Sequence, residues 1–225
     1  MVFRALVIAF GILFALAAVA SASPVSVSNF SFETLPVGGL PLTSGCDGSP
    51  GCAYSVAAIP GWTNSGFSGQ WQPGSSTVFF NSIPDGTTVA YSNDAAISQS
   101  VGTVAANTTY TLLVDIGLRK DEPNSLATVQ LLVGGASVNA IGVAPTVGNW
   151  STFTATYNSV AADVGKTLTI QLTTVTAQGD FDNVRLDASP TGAVPEPTTI
   201  TLLGAGIALL AFWGRKSQRT FATRK

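Results

Sequence analysis

In this chain of 225 residues, Asp180 and Asp182 stand two positions apart. On a β-strand such a pair faces the same way, a spacing that mimics the paired carboxylates of a glycosidase. Trp62, Phe67, Trp71, Phe79 and Phe80 crowd one Gly/Ser-rich stretch, and sugar rings present apolar faces that stack on such side chains. Trp62, after Pro60-Gly61, reads as a core residue capping the fold, so Trp71 and Phe67 are the ligand-binding candidates, with Arg119 as a hydrogen-bond donor to a polar ligand from the loop Arg119–Glu122. Against catalysis stands the absence of histidine, the side chain most used for proton transfer near neutral pH and for transition-metal ligation. A protein that is not an enzyme is expected.

Cys46 and Cys52 bracket Asp-Gly-Ser-Pro-Gly, a turn-rich loop. In an exported protein this predicts a loop-local disulfide. Closing so small a ring removes little chain entropy, so its expected role is to pin the loop. The alternatives, a metal pair or a reactive thiol, lack a histidine or further cysteine to complete a site.

The elements that must carry these residues are strands. Thr109–Gly117 places Tyr110, Leu112, Val114 and Ile116 on one face; Thr128–Val133 and Thr167–Thr174 alternate in the same way. Further strands are predicted at Val25–Phe32, Thr77–Phe80, Thr87–Tyr91, Ala96–Val101, Ser137–Val143, Ser151–Tyr157 and Asn183–Asp187, with a bulge near Ser28-Asn29 to bring Val25, Val27, Phe30 and Phe32 onto one face. Many short strands without helical periodicity predict an all-β antiparallel β-sandwich, a jelly roll, over residues 23–190.

Both ends are different. Residues 1–22 carry one basic residue, an apolar run and Ala20-Ser21-Ala22, the pattern of a signal helix removed by signal peptidase. Residues 191–199 form a linker, residues 200–214 an apolar transmembrane helix, and residues 215–225 a basic tail that the positive-inside rule keeps cytoplasmic. The exported part has eleven acidic and four basic residues, a net charge of −7 hidden in the overall −2. No nucleic-acid partner is expected.

Two resemblances follow from these residues. Val194-Pro195-Glu196-Pro197-Thr198, an apolar helix and an Arg-rich end resemble the PEP-CTERM sorting signal. That likeness implies an exosortase-type sorting enzyme as partner, a transient membrane anchor, and a destination at the cell surface or outside it. Asn29-Phe-Ser-Phe-Glu33, Ile59-Pro-Gly-Trp62, Asn107–Leu112 and Phe181-Asp-Asn-Val-Arg-Leu186 are similar to galactose-binding-like jelly rolls such as glycanase-associated carbohydrate-binding modules. This second resemblance implies neighbouring first and last strands and a calcium ion (Ca2+) held by Glu33 and Asp182, with backbone carbonyls near Ser31. Asp180 and Asp182 then belong to the calcium end. The expected function is an exported, non-catalytic protein that binds extracellular polysaccharide; the alternative is a structural matrix protein without a defined ligand.

Overall fold

The computed structural model describes residues 22–191, except 75–77, 126 and 176, together with residue 206. The expected signal helix, transmembrane helix, basic tail and the strip Pro195, Glu196, Pro197 therefore fall outside the described residues, apart from Ala22 and Gly206. Among the described residues no helix is long and apolar enough to cross a membrane.

Residues Ala22–Thr191 form one unit of two antiparallel sheets. In chain order the strands are β1 (Ser23–Val25), β2 (Ala53–Ser55), β3 (Thr63–Asn64), β4 (Phe67–Gln72), β5 (Val89–Asn93), β6 (Ala96–Thr103), β7 (Thr108–Gly117), β8 (Ala127–Val133), β9 (Ala136–Asn139), β10 (Trp150–Asn158), β11 (Thr167–Thr174) and β12 (Gly179–Pro190). The larger sheet runs β10-β7-β12-β5-β4-β2, with β1 on β12; the smaller runs β3-β6-β11-β8-β9. This is the expected all-β jelly-roll sandwich.

Alternation fixes which side chains meet. Leu112, Val114 and Ile116 of β7, Phe181 and Leu186 of β12, Ile170 and Leu172 of β11, and Val129 and Leu131 of β8 all point into one core and are almost without exposed surface. Each such side chain contributes roughly 1.5–3 kcal/mol by leaving water. The first and last strands do pair, Ser23 opposite Ala188 and Val25 opposite Leu186.

Two local expectations need correction. The first strand stops at Val25, and residues 28–32 form turns in which Asn29 (φ 48°) and Phe32 (φ 60°) are left-handed. That reversal, rather than a bulge, carries Phe32 into the core against Trp62, 5.3 Å between ring centroids, while Phe30 stays 44% exposed. The Asn29 side chain holds the turn, donating to the Thr34 and Pro60 carbonyls and accepting from the Thr34 N–H. Second, bulges lie elsewhere, in β6 at Val101 and in β12: Asp182 pairs with Asp115 and Arg185 with Leu113, so Asn183 and Val184 together face one residue of β7. Asn183 absorbs the extra residue at φ 53°.

Candidate functional site

The outer face of the larger sheet is laid out by register. Trp150, Gly117, Asp180 and Tyr91 form one row across β10, β7, β12 and β5; Thr152, Asp115 and Asp182 form the next. The second row brings in a carboxylate that no local pattern pointed to, Asp115. On this face Trp71 of β4 and Val89 and Tyr91 of β5 form a second apolar cluster with Cys46 and Cys52 of the disulfide loop and with Phe79 and Phe80 of the segment 78–88, which roofs the face.

Cys46 and Cys52 are joined, 5.7 Å between Cα atoms. The Trp71 indole N–H donates to the Cys52 sulfur at 3.4 Å. Trp71 meets Phe79 edge-on at 4.9 Å, and Phe80 lies 4.7 Å from Trp150. Gly117 permits that stacking: a Cβ there would stand 2.9 Å from both the Phe80 and Trp150 rings.

Trp71, expected at the surface, is 4% exposed and has no free ring face for a sugar. One side is taken by Arg119, whose guanidinium sits 4.8 Å from the Trp71 ring centroid and 4.9 Å from that of Phe79. Nor is Arg119 in a solvated loop. It is 8% exposed and held by Asp121 through Nε (3.0 Å) and Nη2 (2.5 Å). Burial opposes its charge, but the Asp121 hydrogen bond and the fields of Asp180, Asp121 and Glu122 outweigh it and raise its pKa. Phe67 is 52% exposed and touches Tyr91 edge-on, 6.0 Å away. The structure thus joins Trp71 to Arg119 and leaves Phe67 apart from that contact.

Asp180 and Asp182 have no exposed surface. Burial, opposed by Arg119 and by a 2.7 Å hydrogen bond from Gln178 Nε2 to Oδ1, holds Asp180 at about pKa 7. Its Oδ2 has no hydrogen-bond partner among the described residues. A buried carboxyl with one unpaired oxygen is stable with a proton on it. Burial also raises Asp182 to about 7, against the amides of Asp85 and Asn183 and with the help of the neighbouring Asp85 and Asp115 charges.

Glu33 and Asp182 converge on one loop. Glu33 Oε1 accepts the Thr87 and Thr88 amides at 2.9 and 2.7 Å, and Asp182 Oδ2 accepts the Asp85 amide at 2.9 Å. Ser31 lies buried in the adjoining turn, where the Phe30 carbonyl accepts the Val184 amide. No three Asp, Glu, Cys or His side chains among the described residues are grouped to hold a metal. The donor chemistry nevertheless suits a hard cation: Asp182 is buried beside two more acids with no ion-pair partner among the described residues, and carbonyls and water would complete the shell.

An opening of about 300 Å³ reaches this face, lined by Asp115, Trp150, Asn149, Thr152, Ser82 and Pro84 among others. Thr152 Oγ1 and Asn183 Nδ2 donate to the two Asp115 oxygens at 2.5 and 2.9 Å, and the Trp150 indole N–H donates to the Ser82 carbonyl. Trp150 lines this opening with its ring over Gly117, the residue opposite Asp180 in the register.

A jelly roll with buried acids and clustered rings on one sheet face defines a class that includes both binding modules and enzymes. Residues 23–187 match the model of the HpiC1 cyclase family, and the chain belongs to this HpiC1-like family. Residues 193–216 match the PEP-CTERM protein-sorting motif. Among solved structures, a cyclase from Fischerella sp. TAU is similar at a TM-score of 0.61 and 23% identity, covering 77% of this chain and 100% of that one. The Stig cyclase Fisc from Fischerella sp. TAU, in complex with (3Z)-3-(1-methyl-2-pyrrolidinylidene)-3H-indole, is similar at 0.61 and 25% identity, over 76% and 99%. The CBM22-1 xylan-binding domain of Paenibacillus barcinonensis Xyn10C gives 0.47 and 12%, over 77% and 99%. No curated protein matches the chain. Family membership overturns the expectation of a protein that is not an enzyme: the family and its solved relatives are cyclases. The absence of histidine does not exclude catalysis, since other side chains also carry protons in active sites.

Proposed function

We propose that the domain is an exported cyclase-type catalyst in which Asp180 delivers a proton to an apolar, indole-like substrate. The observation that carries this reading is the unpaired Oδ2 of a fully buried Asp180 in a row with Tyr91 and Trp150, within a domain of a cyclase family. The ligand bound by the Fischerella Stig cyclase supports the substrate class. In the proposed step the Oδ2 proton passes to the substrate, positive charge develops on it, and the rings of Trp150, Phe80 and Tyr91 face that charge. The carboxylate left behind is supported by Arg119 and the Gln178 N–H. Loss of a proton from the cyclised cation back to Oδ2 restores the acid, so the reaction is a balanced isomerisation. Entry past Trp150 requires its ring to turn away from Gly117.

Glu33 and Asp182, with carbonyls near Ser31, would hold calcium. The ion would supply structural positive charge where the first turn meets the last strand, and no proton step passes through it. Export follows the expected route: leader removal by signal peptidase, anchoring through residues 200–214 with the tail cytoplasmic, and exosortase processing at Pro195–Pro197. The sorting-motif match supports it.

A second reading, binding of a polysaccharide, is supported by the opening at Trp150, where an indole stands beside the Asn149 amide, the Asp115 carboxylate and the Ser82 and Thr152 hydroxyls. On either reading Trp71 and Arg119 brace the floor of the site.

The test is Asp180→Asn, which keeps the Oδ1 acceptor for Gln178. Isomerisation of indole-bearing alkenes by the exported protein, followed by chromatography, is expected to fall at least 100-fold in the variant with its melting temperature retained. Equal conversion by both proteins overturns the assignment.

A further inference from the structure

We propose a further binding site, for a neutral sugar ring, in the cavity between the disulfide loop and residues 80–87. It rests on the second reading above and lies apart from Asp180. The cavity has a volume of about 510 Å³ and is walled by Pro50, Pro73, Phe80 and Ile83, with the amide side chains of Gln72 and Asn81 between them. Among the described residues its lining carries no charged side chain, though the Glu33 carboxylate packs behind the wall at Gly86 and Thr87.

Its walls are fixed before any ligand arrives. Ser49 Oγ donates to the Pro73 carbonyl at 2.9 Å, tying the disulfide loop to the end of β4. Gly74, at φ +86°, lets the two backbones touch: a Cβ there would stand 2.5 Å from the Pro50 oxygen. On the other side Gln72 Nε2 donates to Thr88 Oγ1 at 3.0 Å, and the amides of Thr87 and Thr88 are anchored on Glu33. A site so braced loses little entropy on binding.

The lining selects the ligand class. Proline and phenylalanine rings offer flat apolar plates for the C–H face of a pyranose, and amides and hydroxyls offer both donors and acceptors for its rim. A uronate would bring its charge toward Glu33 behind the Gly86–Thr87 wall, with no cation among the lining residues to pair it, which is costly. This cavity and the opening at Trp150 both border on Ser82, and Phe80 stacks on Trp150 between them. Successive units of one neutral chain therefore take one cavity each, and affinity should grow from a monosaccharide to an oligosaccharide.

The domain is suited to direct measurement, since residues Ala22–Thr191 are one unit and the solved cyclase chains comprise this fold alone. Nitrogen-15 NMR of this domain is titrated with neutral gluco-, xylo- and galacto-oligosaccharides and with an oligogalacturonate. The expected result is movement of the Gly51, Gly74 and Gly86 amide signals together with the Trp150 indole signal, at least tenfold tighter binding of a hexasaccharide than of a monosaccharide, and at least fivefold weakening in Gln72→Ala. Movement of the Trp150 signal with the three glycine amides unmoved overturns this site and leaves the second reading standing. No response to any neutral oligosaccharide overturns both. Oligogalacturonate binding as tightly as the neutral chains overturns the ligand class.

Discussion

The two sheets turn the same kind of face inward and very different faces outward. Across the smaller sheet one register row reads Thr63, Ser98, Gln171, Gln130 and Asn139, another Ser100, Thr169, Leu132 and Ser137; these side chains are half-buried or exposed, and none carries charge. Across the larger sheet the corresponding rows hold Asp180, Asp182 and Asp115, with Trp150 in the row of Asp180 and the rings of Phe79 and Phe80 packed over this face against Trp71 and Trp150. A solvated face needs only hydroxyls and amides on the outward positions. A roofed face buries whatever its strands project outward, so acids retained there must be paired, protonated or put to use.

The sharpest way to break this contrast is to remove a ring from the roof. Phe79→Ala deletes a side chain with no exposure that packs on both Trp71 and Arg119. It is expected to cost about 3–5 kcal/mol, whereas Gln171→Ala on the other sheet should stay within about 0.5 kcal/mol. Denaturant unfolding of both variants checks this. Comparable losses would mean that the two outer faces are equivalent after all.

A second test uses protons. Because burial raises Asp180 to about 7, the folded chain binds a proton there that an unfolded aspartate, with its ordinary value near 4, has released. The stability this group contributes is complete below about pH 4 and is lost as pH rises through about 7. Asp180→Asn removes the titration, so the variant should lose less stability than the native protein between pH 5 and pH 8, by roughly 1–3 kcal/mol. Thermal unfolding at the two pH values checks it; parallel pH dependence in both proteins would mean that Asp180 is charged throughout.

How much of this contrast the sequence discloses depends on whether local pattern or distant register carries it. The strands β8 and β11, and β7 as far as Val114, are plain from alternation because one side of each is buried in the core and the other is half-buried or exposed; the outward Asp115 and Gly117 at the end of β7 are buried as well. Strand β4 is hidden: Ser68, Gly69, Gln70 and Trp71 are all buried, two toward the core and two beneath the roof, which erases the period of two. The like orientation of Asp180 and Asp182 is legible from their spacing, but their burial is not. It depends on loops some 100 residues away, and Asp115 joins them only through the pairing of β7 with β12. Arg119 reads as a loop cation because the ring pair that holds it, Trp71 and Phe79, is formed by tertiary contact.

Calcium gives the smallest expected effect and the finest probe of the larger sheet. Glu33 and Asp182 come from opposite ends of the domain and take the amides of a single loop, Asp85–Thr88, so an ion bound between them would join the first turn, that loop and the last strand. Those amides already stabilise the two carboxylates, which limits what a cation can add. Extracellular calcium sites bind in the range of about 0.1–1 mM, and an ion that binds only the folded form contributes RT ln(1 + [L]/Kd). At about 1 mM calcium this amounts to roughly 0.4–1.4 kcal/mol, or a rise of a few degrees in Tm for a domain of this size. The rise should vanish in Asp182→Ala and persist in Gln171→Ala. Identical melting curves with calcium and with chelator would show that the loop amides alone hold the two carboxylates.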